Sequence, residues 1–116
     1  MNNSFVFSDS KKANILIVDD EPLIIELLEN TMKRTNYSYS FAENGEKALE
    51  MFSRQMFDVV VTDVEMPVMD GIELAKIIKS KYTSDIIVMT GQIQSYQYDE
   101  IINIGASDFV EKPFSP

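Results

Sequence analysis

Five residues have side chains that could do chemistry together: Asp19, Asp20, Asp63, Thr90 and Lys112. Clustered carboxylates bind a hard divalent cation, and a single rigidly held carboxylate can attack an electrophile such as phosphorus. The 116-residue chain has neither His nor Cys. An all-oxygen ligand set therefore favours Mg2+, held by few carboxylates together with waters and a phosphate oxygen. Each residue also has a plainer reading. Asp19 and Asp20 read as helix-capping acids, Asp63 as a turn residue, Thr90 as a strand end before Gly91, and Lys112 as a solvated charge before Pro113. Their common placement favours the chemical reading, because each follows or ends a short apolar run.

Those runs imply the elements that carry the residues. Ile15 to Val18 is a continuous apolar run, as expected of a strand covered on both faces. Asp19-Asp20-Glu21-Pro22 opens a helix to about Arg34, with acids where the dipole favours them and Pro in the first turn. Its expected inward residues are Leu23, Ile24, Leu27, Leu28 and Met32. Tyr37 to Phe41 is a polar, edge-like strand, and Asn44-Gly45 starts a helix with Ala48, Leu49, Phe52 and Met56 on one face. Phe57 to Thr62 is the central strand. A loop from Pro67 to Gly71 leads into a helix using Ile72, Leu74, Ala75 and Ile78. Ile86 to Met89 is the fourth strand. A helix over roughly Ser95 to Ile104, stopped at Gly105, precedes a short fifth strand from Ser107 to Val110. Strand and helix alternate at the loop lengths of a doubly wound parallel α/β sheet.

Composition narrows the function. Nineteen acidic against ten basic side chains give a formal charge of −9, which repels phosphate backbones and argues against nucleic-acid binding by this segment. A cation or a basic protein surface is the expected partner. The missing Cys and His exclude cysteine-based phosphatases, imidazole bases, His zinc sites and phosphohistidine carriers. No apolar stretch approaches a membrane span, and Met1 to Phe7 lack the form of a signal peptide, so a soluble, cytoplasmic protein is expected.

The chain resembles the receiver domain of two-component response regulators, the CheY-like domains, from about Asn14 to Phe114. The resemblance rests on Ile-Val-Asp19-Asp20-Glu21, on Val-Thr-Asp63-Val-Glu-Met-Pro67-Val-Met-Asp-Gly71, on Met-Thr90-Gly91, and on Asp-Phe109-Val-Glu-Lys112-Pro113-Phe114. It implies a flavodoxin-like, five-stranded parallel sheet of order 2-1-3-4-5, with the site at the carboxyl ends of the strands. It also implies that Asp63 accepts a phosphoryl group from a sensor histidine kinase or phosphotransfer protein. Asp20, Asp63 and the backbone carbonyl of Glu65 would ligate Mg2+, with Asp19 assisting through water. Lys112 would pair with phosphoryl oxygens, Thr90 would donate its hydroxyl to one of them, and Phe109 would follow Thr90 as a rotamer switch. The Lys112-Pro113 bond is cis in the family.

Domain expectations follow: a loose leader over 1–12, then a receiver domain over 13–116 that stops before its fifth helix. Ser115-Pro116 reads as the start of that helix, and an output domain is expected beyond it in the parent protein. A homodimer through the fourth-helix and fifth-strand face is a further implication. Two rivals are a Mg2+-dependent phosphatase with an Asp nucleophile, of the haloacid dehalogenase type, and a pseudo-receiver that only binds partners. The first resembles Asp-x-Asp after the first strand, whereas Asp63 follows the third; the intact set of five residues argues against the second.

Overall fold

The computed structural model describes residues 13–91, 99, 103 and 105–111; the side chains of 108, 109 and 111 lie outside that description. Strands are β1 (Asn14–Val18), β2 (Ser38–Ala42), β3 (Val59–Asp63), β4 (Asp85–Thr90) and β5 (Asp108–Glu111). Helices are α1 (Pro22–Met32), α2 (Gly45–Phe52) and α3 (Gly71–Lys81). All strand pairs are parallel, in the order β2-β1-β3-β4-β5. The expected order, with its reversal between β1 and β3, is the one observed.

The core follows from the two-residue period of the strands. Leu16, Val18, Val60, Ile86 and Val88 are buried on one face, against Ala48 and Phe52 of α2 and Ile72, Leu74, Ala75 and Ile78 of α3. Phe52 also meets Phe57 edge-on at 5.2 Å between ring centroids. Two of the three described helices carry a side-chain cap at their start. Asn44 Oδ1 accepts from the Lys47 amide at 2.8 Å, and Asp70 Oδ1 accepts from the Glu73 amide at 2.8 Å. Gly105, assigned as a helix stop, has φ 85°. The helix expected over Ser95 to Ile104 and the leader over 1–12 lie largely or wholly outside the described residues.

Two expectations about helix faces are corrected. On α1, Ile24 is buried, but Leu23 is 74% and Leu27 43% exposed. The apolar residues of this helix run around most of its girth, so their number does not define a single inward stripe. On α2, the helix ends at Phe52 and leaves Met56 in the following turn, 64% exposed. Ser53 terminates it: its hydroxyl donates to the Glu50 carbonyl at 2.5 Å, and the chain turns through Arg54 and Gln55.

Candidate functional site

Sheet register alone gathers the acids. Val18 pairs with Thr62, so the next residues, Asp19 and Asp63, emerge side by side at the carboxyl edge. The Asp19 amide continues the β1–β2 ladder by donating to the Ala42 carbonyl at 3.1 Å, which fixes its backbone. Asp63 is the last residue of β3 and lies opposite Met89, one residue before Thr90. Thr90 in turn lies opposite Glu111 of β5.

Burial divides the set. Asp19, Asp63 and Thr90 are buried, while Asp20 is exposed at the mouth. Asp19, Asp20 and Asp63 each present one carboxylate oxygen such that all three lie within 4.8 Å of one another. Hard divalent cations take oxygen ligands at about 2.0–2.6 Å, so these atoms are within reach of one small ion. Like charges this close, two of them on buried side chains, also favour a cation electrostatically. The donor set therefore fits Mg2+. The capping reading survives only in part: Asp19 Oδ1 accepts from the Glu21 amide at 2.9 Å, whereas Glu21, the N-cap of α1, makes no side-chain cap bond. Beside the acids opens a groove of about 400 Å³ whose lining includes Asp20, Glu26, Glu29, Phe41 and Glu43.

The loop after Asp63 is tightly built. The Gly71 amide donates to the Val64 carbonyl at 2.7 Å, folding residues 64–71 back onto the end of β3. Within it, the Met69 amide donates to the Pro67 carbonyl at 2.7 Å and Val68 has φ 71°. This is a γ-turn with a β-branched residue in the left-handed region, an unfavourable conformation. Nothing in the sequence signals it, because Val is among the residues least suited to positive φ. Glu65 is exposed in the same loop. Lys112, the Lys112-Pro113 bond and the side chain of Phe109 lie outside the described residues.

Comparison with known proteins gives this geometry a family. Residues 15–116 match the response regulator receiver domain. The chain is 35% identical over 107 residues to the transcriptional regulatory protein ResD of Bacillus subtilis, covering 92% of this chain and 45% of ResD. It is 36% identical over 103 residues to PhoP of the same organism, the alkaline phosphatase synthesis transcriptional regulatory protein, covering 88% of this chain and 43% of PhoP. Among solved structures, the chemotaxis response regulator CheY4 of Vibrio cholerae superposes with a TM-score of 0.82 at 30% identity, over 91% of each chain. The signal receiver domain of a Pseudomonas fluorescens HD domain-containing protein gives 0.85 at 26% identity, over 90% of this chain and 86% of that one.

This chain belongs to the receiver-domain family of response regulators and is a module of phosphorylation-controlled two-component signalling. It spans less than half the length of the curated relatives named here. No helix among the described residues is long and apolar enough to cross a membrane.

Proposed function

We propose that Asp63 is the phosphoacceptor of this receiver, and that its phosphorylation is the signal the domain transmits. The observation that carries this reading is the convergence of the Asp19, Asp20 and Asp63 oxygens at the carboxyl edge of the sheet, with Thr90 one strand away. An Asp63 carboxylate oxygen attacks phosphorus of a phosphohistidine on a sensor kinase or phosphotransfer protein. The P–N bond breaks, its electron pair returns to the imidazole, and an acyl phosphate forms. Carboxylates are competent acceptors in this chemistry, and the protein supplies mainly position and charge neutralisation.

Asp19, Asp20, Asp63 and the Glu65 carbonyl would hold Mg2+, which when bound offsets the charge of the acids and of the incoming phosphoryl oxygens. Lys112 pairs with those oxygens, and the Thr90 hydroxyl donates to one of them. Thr90 is only 2% exposed, so its response to the phosphoryl group requires repacking of neighbours. In this reading Phe109 takes up the space, and the fourth-helix and fifth-strand surface changes for an output domain or a second copy. Coupling of this kind typically amounts to about 1–3 kcal/mol. Dephosphorylation is slow and intrinsic, and the parent protein acts in the cytoplasm as a switch, not as a turnover enzyme.

The test is incubation with Mg2+ and acetyl phosphate, followed by intact-mass spectrometry. One labile phosphoryl adduct, absent in Asp63→Asn, is expected. A folded protein that takes none would be a pseudo-receiver, and rapid turnover of phosphate esters would make it a phosphatase.

A further inference from the structure

Met69 has no part in the metal set or the phosphoryl contacts, yet it lies in the loop that follows Asp63. Its side chain is partly buried against the core cluster and lies over Gly45, the first residue of α2. A β-carbon built on Gly45 would stand 2.8 Å from Met69 Sδ, 3.0 Å from Cγ and 3.1 Å from Cβ. The contact therefore involves the root of the side chain as well as its flexible tip. Gly45 is itself held in place, because Asn44 caps α2 immediately before it. On the loop side, Met69 is one end of the strained turn at Val68 and precedes Asp70, the N-cap of α3. A γ-turn of this kind persists only where its surroundings hold it.

We propose that Met69 is a positioning residue for the phosphoacceptor loop: seated in the notch at Gly45, it holds the strained turn and so fixes residues 64–71 relative to Asp63. The proposal rests on the reading of Asp63 and the Glu65 carbonyl as the Mg2+-dependent acceptor site. Burial of the thioether at the start of α2 offsets the cost of the Val68 backbone. Freed from that anchor, the turn relaxes, and the carbonyl of Glu65, four residues earlier in the same loop, loses its set position. Small displacements of positioning groups cost metal affinity and rate out of proportion to their effect on stability.

Mg2+ binding by calorimetry and acetyl-phosphate labelling are measured side by side with melting temperature. Met69→Ala is expected to raise the Mg2+ dissociation constant about tenfold and to slow labelling at fixed Mg2+. Met69→Leu, which refills the notch, should return both to within about threefold of wild type. Gly45→Ala, which expels an intact Met69, should shift Mg2+ affinity in the same direction as Met69→Ala. Ile78→Val serves as a core control that lowers the melting temperature without moving either readout. Should Met69→Ala and Gly45→Ala lower the melting temperature as the control does and leave Mg2+ affinity at the wild-type value, Met69 is ordinary core filling and the proposal fails. A wild-type protein that takes neither Mg2+ nor phosphoryl instead overturns the function reading, and this inference with it.

Discussion

Gly71 lies directly against the backbone of Asp63. A β-carbon at Gly71 would collide with the Asp63 carbonyl oxygen, 2.8 Å from the carbonyl carbon and 2.9 Å from Val64 Cα. The end of β3 and the start of α3 approach this closely only because residue 71 has no side chain.

Gly71→Ala is therefore expected to destabilise the domain by about 2 kcal/mol or more, since backbone, not a flexible side chain, must give way. The same variant should label more slowly with acetyl phosphate even where it is fully folded. Urea denaturation and labelling below the transition check both halves.

Val68 gives the opposite sign. Its φ of 71° is unfavourable for a β-branched residue, and its side chain is 77% exposed, so little packing is lost on removing it. Val68→Gly should stabilise the protein by about 1 kcal/mol, the relief of strain exceeding the added entropy of the unfolded glycine. A rise in the urea midpoint at unchanged slope is the expected result.

The two faces of α1 separate cleanly by mutation. Ile24→Ala should cost about 2–4 kcal/mol, because its side chain is buried at 5% exposure. Leu23→Ala, at 74% exposure, should change stability by no more than about 0.5 kcal/mol. Thermal or denaturant unfolding of both variants decides whether the helix sits as described.

That pair also shows what the sequence could and could not reveal. Apolar runs ending in Asp19, Asp63 and Thr90 located three strands and the edge where the carboxylates converge, because buried parallel strands leave continuous apolar stretches and the register of the sheet brings their ends together. The start of α2 was legible through Asn44, whose side chain caps it, whereas the Asp70 cap of α3 lay inside a stretch read only as a loop. The inward face of α1 was not legible, since Leu23, Ile24, Ile25, Leu27 and Leu28 offer more apolar positions than one sheet contact consumes. The end of α2 was misplaced by a helical period continuing to Met56 without a Gly or Pro to break it. The seat of Met69 on Gly45 joins residues far apart in sequence through a backbone shape that Val68 does not advertise.

Mg2+ should stabilise the folded state by mass action, by about 2.7 kcal/mol at a hundredfold excess over its dissociation constant. Asp20→Asn should remove most of that increment. It should also raise the melting temperature of the metal-free protein, because one of three mutually repelling carboxylates is gone. Melting curves with Mg2+ and with chelator distinguish the two effects.

The most direct test is to locate the phosphoryl group chemically. Borohydride reduces an aspartyl phosphate to homoserine, so the phosphorylated, reduced and digested protein should carry homoserine at residue 63 and at no other aspartate. Homoserine at Asp19 or Asp20, or an adduct persisting in Asp63→Asn, would contradict the account.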